Sequence, residues 1–202
     1  LLVSMAEQLA IVITNTQLYH DLEEFINNII KSMIYAVEAK DVYTRGHSER
    51  VSHTCMLIAD RLKLGKEERN TLQWASILHD VEKIGVPESI LNKKEPLDDK
   101  EYEIIKKHPE SGYNILQPIV QLKEAPTIIF HHHERYDGSG YPHGLEGEEI
   151  PLSSRIIAVA DTYDALTSDR AYRPAKGTEE ALAIIDEVAG IQLDPYLVSV
   201  FK

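Results

Sequence analysis

The stretch that decides the fold is LQWASILHDVEKIG, residues 72–85. Its first half carries apolar side chains at helical spacing and ends in the adjacent polar pair His79-Asp80. Neighbouring helical residues point about 100° apart, so one metal ion can take both side chains only near a helix end or bend. Alternatively, Asp80 bridges two metals while His79 binds one of them. A His-Asp pair alone is weak evidence, so a metal site needs ligands from elsewhere in the chain.

Four other places in the sequence offer such ligands. His47 follows a glycine turn at the head of a helix, and His108 ends a helix just before a proline. Three successive imidazoles stand at 131–133, at another helix end. Neutral histidines there lose solvation unless water or a metal satisfies them. Asp161 follows the buried-looking run IIAVA, and such a carboxylate needs a partner. Alone, each of these is an ordinary capping, surface or structural residue.

Taken together, these residues predict a site for two metal ions. The ligands outnumber the three or four that a tetrahedral zinc site needs, and nine histidines with one cysteine favour nitrogen and oxygen coordination. Two metals a few ångströms apart lower the pKa of a shared water and clamp a phosphodiester for in-line attack. The sequence therefore predicts a metal-dependent phosphohydrolase.

Three cationic side chains are candidates for binding phosphate. Lys83 stands four residues after His79, and on a continuing helix it would lie on the same face. There it would neutralise a phosphate oxygen or protonate the leaving oxygen. Arg170 and Arg173 could hold phosphates through bidentate contacts. The alternative for all three is ordinary surface charge, with the arginines paired to a carboxylate such as Asp164.

The rest of the chain indicates a soluble all-α protein of 202 residues without a membrane span. The net charge of −12 argues against binding to nucleic-acid polymers or anionic membranes, so an anionic substrate needs local positive charge from metals.

The lone Cys55 is expected in the core. Residues 134–151, rich in glycine and proline, predict an exposed loop. The predicted helices cover 48–62, 67–79, 98–108, a segment from Pro118 to the 131–133 histidines, 154–166, 179–190 and 195–201.

Residues 1–38 contain no proline or glycine and predict one long helix. Apolar side chains recur every three or four residues, as in the seam of a coiled coil, with polar interruptions in the middle. So long a helix is hard to bury in one small domain. We therefore expect residues 1–25 either to dimerise or transmit a signal, or to pack on the core as an ordinary amphipathic helix.

Two strings carry a family resemblance: HDVEKIG at 79–85 and HHERYDGSGYPHGLEGEEIPLSSRIIAVADTYDALTSDRAYR at 132–173. They closely resemble the HD-GYP family, the branch of HD-domain hydrolases that cleaves the bacterial second messenger cyclic di-GMP. The resemblance covers residues 25–202 and implies an HD-domain helical bundle with a buried metal centre in a bacterial cytoplasmic protein. Residues 1–22 resemble, more weakly, the last helix of a GAF sensory domain, so residues 1–24 are expected to form a signalling linker.

The resemblance also implies roles for individual residues. Asp80 would bridge two metal ions, iron or in its place manganese, and Lys83 would stand beside the bridging water. Arg170 and Arg173 would hold the nucleotide phosphates. The implied metal ligands are His47, His79 and Asp161 for one ion, and His108, His132 and His133 for the other. The implied signature loop, for substrate access or contact with partner proteins, is Gly138, Gly140, Tyr141 and Pro142.

Three positions depart from the family pattern. The usual motif reads HD-x-G-K, but Glu82 replaces the glycine, and it could crowd the site, pair with Lys83 or face solvent. Some members bind a third metal through a glutamate that is Tyr43 here, which favours two metals. His131 precedes the matched pair and is expected to support the site or the fold.

Two main functions follow from this resemblance, and a third is weaker. The first is a phosphodiesterase that hydrolyses cyclic di-GMP to pGpG, to GMP or to both, with related cyclic dinucleotides as other candidate substrates. The second is a catalytically weak regulator that binds nucleotide or a partner protein, an alternative that Glu82 leaves open. A general HD phosphohydrolase acting on other nucleotides is a third, which the GYP string disfavours. A homodimer through the N-terminal helix is expected.

Overall fold

The computed structural model describes residues 2–40, 45–93, 95–96, 98–169 and 174–202. Three short 3₁₀ turns lie at Val81–Gly85, Val120–Leu122 and Gly147–Glu149. The described residues form no β-strand beyond two isolated bridges. This confirms the all-α prediction. The α-helices are α1 (Leu2–Glu38), α2 (His47–Arg61), α3 (Lys66–Leu78), α4 (Glu88–Leu91), α5 (Asp99–Lys106), α6 (His108–Leu116), α7 (Ala125–Phe130), α8 (Leu152–Thr167), α9 (Thr178–Glu187) and α10 (Pro195–Phe201).

The core lies where α2, α3, α7 and α8 pack against one another. Each contributes the apolar side chains that recur on one face of the helix, such as Ile58, Leu72, Ile129 and Ile157, all fully buried. Cys55 is buried among them, as predicted from its apolar neighbours. The packing brings the ends of α3 and α7, the start of α2 and the middle of α8 together, and these are the places that carry the predicted metal ligands.

The first helix leaves the bundle. α1 is continuous over 37 residues, as predicted, but each described side chain from residue 4 to residue 29 is exposed. Burial begins near its end, at Ile34, Val37 and Glu38. In the described part of the chain, no helix has the length and apolar character to cross a membrane.

Two helix boundaries differ from the sequence prediction. His108 begins a helix instead of ending one, because Pro109 is the second residue of α6, where a proline lacks no needed hydrogen bond. The helix predicted from Pro118 to the 131–133 histidines is wrong. It divides at Lys123, whose φ is 50°, into a 3₁₀ turn and the short helix α7.

Candidate metal centre

The break between α3 and the following 3₁₀ turn sets the positions of His79 and Asp80. α3 ends at Leu78, His79 is its C-cap, and the backbone of Asp80 leaves helical geometry at φ −110°. The two side chains thereby face the same point, with His79 Nε2 3.6 Å from Asp80 Oδ2. His79 and Asp80 therefore lie at a helix end, as the binding of both side chains to one metal ion requires.

Four imidazoles around this point are held by their Nδ1 atoms. His79 Nδ1 lies 2.7 Å from the carbonyl of Ser76, and His132 Nδ1 lies 2.5 Å from that of Ile129. His108 contacts the carbonyl of residue 105 in the same way, and His47 Nδ1 contacts the Asp164 carboxylate. A carbonyl oxygen and an ionised carboxylate only accept, so each Nδ1 must carry a proton, and Nε2 is the ring nitrogen left to bind a metal.

The free ring nitrogens converge at distances that suit a shared ion. His47 Nε2 lies 3.2 Å from His79 Nε2, 3.5 Å from Asp80 Oδ2 and 3.4 Å from Asp161 Oδ1. Two ligand atoms bound about 2.1 Å from one ion lie about 3.0–3.4 Å apart for octahedral to tetrahedral angles. With His79 Nδ1 donating, the approach of the His47 and His79 nitrogens calls for a cation or a proton between them. His47, His79 and Asp80 therefore fit a metal ion, and Asp161 lies next to His47.

A second group of ligands lies beside the first. His108, His132 and His133 each offer a nitrogen within 4.8 Å of the others, and the His79 and His132 rings connect the two groups at 5.5 Å between centroids. Asp80 lies within 4.8 Å of ligand atoms in both groups, because it clusters with His47 and His79 and also with His132. The structure thus brings together all seven residues expected as ligands, and Asp80 has the central position that a bridge requires.

Burial keeps the second group of histidines neutral. It lowers the pKa of His108 to about 4 and that of His132 to about 3, and it holds the pKa of His133 well below its usual value. Burial alone would raise the pKa of Asp80, but Lys83, His79 and His47 outweigh it and hold that pKa well below its usual range. Near pH 7 the second group therefore presents neutral imidazoles beside an ionised Asp80 carboxylate, the protonation states that metals require.

Lys83 reaches the site by a different route from the one expected. The helix does not continue past His79, so the same-face argument is wrong. The 3₁₀ turn instead brings Lys83 Nζ to 2.6 Å from Asp80 Oδ2. The side chains of Lys83 and Asp161 are 22% and 28% exposed, whereas His47 and His79 are almost fully buried. The cluster is therefore open to solvent on the side of Lys83 and Asp161.

Glu82 turns inward. Its side chain is fully buried, and its Oε1 lies 3.6 Å from His108 Nε2. Burial and the nearby Asp80 carboxylate raise the pKa of Glu82 well above its usual value. The sequence left three interpretations of Glu82: crowding the site, pairing with Lys83 or facing solvent. The last is wrong, because this carboxylate lies against the second group of histidines.

The loop after α7 is organised by Glu134, whose carboxylate accepts hydrogen bonds from the backbone N–H groups of His143 and Leu145. Gly140 packs so closely on residues 134–135 that a Cβ there would lie 2.2 Å from the backbone nitrogen of Arg135. The Tyr141 ring stacks on His133, with centroids 5.0 Å apart. The loop therefore closes one side of the cluster with Tyr141.

His131 lies apart from the cluster. Its Nδ1 is 3.6 Å from Glu134 Oε1, and its ring contacts those of Phe130 and His143. His131, Glu134 and His143 also form a compact group of ligand-type atoms at the base of the loop. This agrees with the expectation that His131 supports the fold, since it packs on the loop and its neighbours.

Sequence reasoning missed one residue that touches the site. Asp164 holds His47 Nδ1 at 2.7 Å and also receives hydrogen bonds from Arg50. The sequence suggests Asp164 only as a partner for Arg170 or Arg173, and those two arginines, like Tyr43, lie outside the described residues. A detectable signal was its position three residues after Asp161, which places both carboxylates on one face of α8.

The fold and the site together define a class: a helical metalloprotein whose buried imidazoles and carboxylates come from separate helices. The chain matches the family described as HD domain over residues 31–197. It therefore belongs to the HD-domain family.

Relatives of known name refine this assignment. The chain is 40% identical over 178 residues to the cyclic di-GMP phosphodiesterase response regulator RpfG of Xanthomonas campestris pv. campestris, covering 87% of this chain and 47% of that protein. It is 38% identical to a cyclic di-GMP phosphodiesterase of Thermotoga maritima, covering 93% and 52%. It is also 38% identical to the 3'3'-cGAMP-specific phosphodiesterase 3 of Vibrio cholerae, covering 89% and 39%. The chain thus spans about half the length of the curated relatives it matches, or less.

A solved structure agrees with the fold. A cyclic GMP-AMP-specific phosphodiesterase of V. cholerae superposes with a TM-score of 0.66 at 23% identity, covering 85% of this chain and 47% of that one. This likeness supports the HD-domain fold. The match to the HD-domain family, together with the named relatives, confirms the resemblance drawn from the two sequence strings.

Proposed function

We propose that this chain is a metal-dependent phosphodiesterase that hydrolyses cyclic di-GMP to pGpG, to GMP or to both. The observation that carries the proposal is the set of four imidazoles anchored through Nδ1, with the Nε2 atoms of His47 and His79 lying 3.5 and 3.6 Å from Asp80 Oδ2. The names of the relatives support a cyclic dinucleotide as the substrate.

Two divalent metal ions, iron or in its place manganese, would be held at this centre. His47, His79 and Asp161 would bind one and His108, His132 and His133 the other, with Asp80 shared between them. Bound there, the ions would lower the pKa of a water molecule and offset the negative charge of the phosphodiester.

The protein's own residues would orient the substrate and handle protons. Lys83 Nζ, on the open side of the cluster, is in position to contact a non-bridging phosphate oxygen or to donate a proton to the leaving oxygen. Tyr141 would cover the cluster beside His133 and limit water access, and with Gly140 it is our candidate for contact with the nucleotide. Arg170 and Arg173 remain sequence-based candidates for phosphate contacts.

The test is product analysis with metal-loaded protein. The chain, prepared anaerobically with Fe²⁺ or with Mn²⁺, is incubated with cyclic di-GMP, 3'3'-cGAMP or cyclic di-AMP, and products are separated by liquid chromatography. We expect cyclic di-GMP to be consumed fastest. Asp80→Asn should remove turnover, whereas His20→Gln, an exposed change on α1, should leave it unchanged. A protein that holds two metals and leaves all three nucleotides intact would refute the proposal.

That refuting result would favour the second function, a catalytically weak regulator. The observation in its favour is the buried Glu82, whose carboxyl group lies against the second group of histidines. Under that alternative, Glu82→Gly should greatly raise turnover. The loop around Tyr141 would then serve as the surface for a protein partner.

We further propose that residues 1–24 form a signalling helix that joins two copies of the chain, and that residues 25–202 form the phosphohydrolase domain. Apolar side chains on α1, among them Met5, Leu9 and Val12, are more than half exposed. Their spacing is that of a coiled-coil seam, and an apolar surface of this extent is typical of an interaction site. A second copy of the same helix is the partner that this pattern fits.

A further inference from the structure

Glu82 is a buried carboxylate without a hydrogen-bond partner among the described residues. Neither Oε1 nor Oε2 is bonded, and the Nε2 atoms of His108 and His132 are buried and unbonded as well. Oε1 lies 3.6 Å from His108 Nε2, and a Glu82 oxygen lies within 4.8 Å of a His132 nitrogen. These four orphaned atoms therefore surround one small region. Buried polar atoms almost always have a bonding partner. These four atoms have none, so a single group placed between them would satisfy all four.

The neighbouring helix is shaped to admit this carboxylate. Gly112 lies in the middle of α6, where glycine is less stable than alanine. A Cβ at that position would lie 2.6 Å from Glu82 Oε2 and 3.0 Å from Glu82 Cδ. The glycine thus leaves the space that the Glu82 side chain occupies. Glu82 and Gly112 form a matched pair across the 3₁₀ turn and α6.

A proton does not satisfy these atoms as well as a cation would. The 3.6 Å separation of Glu82 Oε1 and His108 Nε2 is longer than a hydrogen bond. The Nδ1 atoms of His108 and His132 already face backbone carbonyls, so both Nε2 atoms carry lone pairs. Lone pairs on nitrogen and oxygen that face one another across such a gap are the arrangement of a metal site.

We propose that Glu82 is an additional protein ligand of the metal ion held by His108, His132 and His133, an inference that rests on the proposed two-metal site. It would add a carboxylate to a group that otherwise contributes only neutral imidazoles, apart from the shared Asp80. A carboxylate strengthens binding of hard ions such as Mn²⁺, so this second position should bind Mn²⁺ more tightly than an all-imidazole group would.

The experiment is a titration of the metal-free protein with Mn²⁺, in which free Mn²⁺ is followed by electron paramagnetic resonance. We expect two ions per wild-type chain. Glu82→Gln and Glu82→Gly should both weaken one of the two sites by at least about 10-fold, the lower end of the loss seen when a residue that only supports a metal ligand is removed, and leave the other unchanged. Glu88→Gln, which changes an exposed carboxylate at the start of α4, should alter neither site.

Gly112→Ala separates a ligand role from local damage to the fold. Its methyl group should displace the Glu82 carboxylate and weaken the same site in the wild-type background. In the Glu82→Gly background it has nothing to displace, so it should have no further effect. Helical circular dichroism of each variant reports whether it is folded.

The two proposals fail in different ways. If Glu82→Gly keeps wild-type affinity at both sites, Glu82 is not a ligand, while the two-metal centre stands. If the wild-type protein binds no Mn²⁺ and no Fe²⁺, the two-metal centre itself is refuted, and the role of Glu82 with it.

Discussion

His47 Nδ1 lies 2.7 Å from Asp164 Oδ2, which ties the first residue of α2 to the last third of α8 across 117 positions of sequence. The Arg50 guanidinium holds the same carboxylate from the other side. Burial would raise the pKa of Asp164, but these two partners lower it to about 2. An ionised carboxylate therefore fixes the ring of His47 and directs Nε2 toward the cluster.

Asp164→Asn should weaken metal binding without unfolding the protein. The amide has the size of the carboxylate but not its charge, so it holds the His47 ring less firmly, and loss of such a contact typically costs about 10- to 100-fold in metal affinity. The measurement is Mn²⁺ affinity, with circular dichroism as the check on folding. Asp186→Asn, an exposed change on α9, is the control. Unchanged affinity in Asp164→Asn would mean that packing alone orients His47.

The metal-free protein should lose stability on acidification from about pH 6.5 to pH 4. The pKa of His132 is about 3 in the folded chain, lowered by burial, whereas an unfolded histidine titrates near about 6.5. The unfolded chain therefore binds the extra proton in this range, and the stabilisation present above pH 6.5 falls by about 1.4 kcal/mol per pH unit for this one group. Urea unfolding at a series of pH values measures the slope.

His132→Gln supplies the comparison for this pH effect. The variant lacks the titrating group, so its unfolding free energy should fall less steeply over the same range. His20→Gln, on the exposed part of α1, should keep the wild-type slope. Equal slopes for wild type and His132→Gln would show that His132 is not held neutral in the folded chain.

Gly140→Ala should destabilise the loop that closes the cluster. The added Cβ would lie 2.2 Å from the Arg135 nitrogen and 2.6 Å from Glu134 Cα, so the backbone at residue 140 must move away from residues 134–135. We expect a loss of about 1–3 kcal/mol in the free energy of unfolding, together with faster amide exchange in residues 138–145. Gly177→Ala is the control, because its new methyl group meets nothing within 4 Å. It should cause neither this loss of unfolding free energy nor the faster amide exchange. Equal exchange in both variants would contradict the close packing.

Glu38→Ala should affect both stability and metal affinity, because this residue joins the long helix to the site. Its carboxylate accepts hydrogen bonds from the backbone N–H groups of Gly46 and Ser48, on either side of His47. Loss of a capping carboxylate typically costs about 1–2 kcal/mol, and the freed turn should let His47 shift. Urea unfolding and Mn²⁺ titration measure the two effects. Glu7→Ala, an exposed change on α1, should change neither the stability nor the metal affinity. If Glu38→Ala has the stability and metal affinity of the wild type, Glu38 does not connect the long helix to the site.

The exposed face of α1 should make the protein a dimer. Sedimentation at micromolar concentration should give a mass near twice 22.9 kDa, and removal of residues 1–24 should reduce it. Leu9→Glu with Val12→Glu places charge in the seam and should have the same effect. Thr14→Glu with Asn28→Glu adds equal charge on the opposite face and should leave the dimer intact. A wild-type monomer would refute the coiled-coil interpretation.

Local pattern was enough to predict several parts of this molecule. The 3.6-residue periodicity of apolar side chains, free of glycine and proline, predicted α1 to its last residues and placed α2, α3 and α8 within two residues of their observed bounds. The strings around His79-Asp80 and residues 132–173 identified the family. The apolar pattern mispredicted the helices at Pro109 and Lys123. Pro109 lies at the start of a short helix and Lys123 interrupts the predicted one, but the apolar spacing continues past both residues.

The sequence by itself determined the helical class, the family and the residue types able to hold metal, because periodicity and motif spacing are properties of neighbouring residues. Only the tertiary structure decided that Asp164 holds His47, that carbonyls three residues back orient His79, His108 and His132, and that Glu82 turns inward over Gly112. Those contacts depend on how helices far apart in the chain pack, and on the backbone angles at a helix end. Neither is encoded in the spacing of residues along one segment.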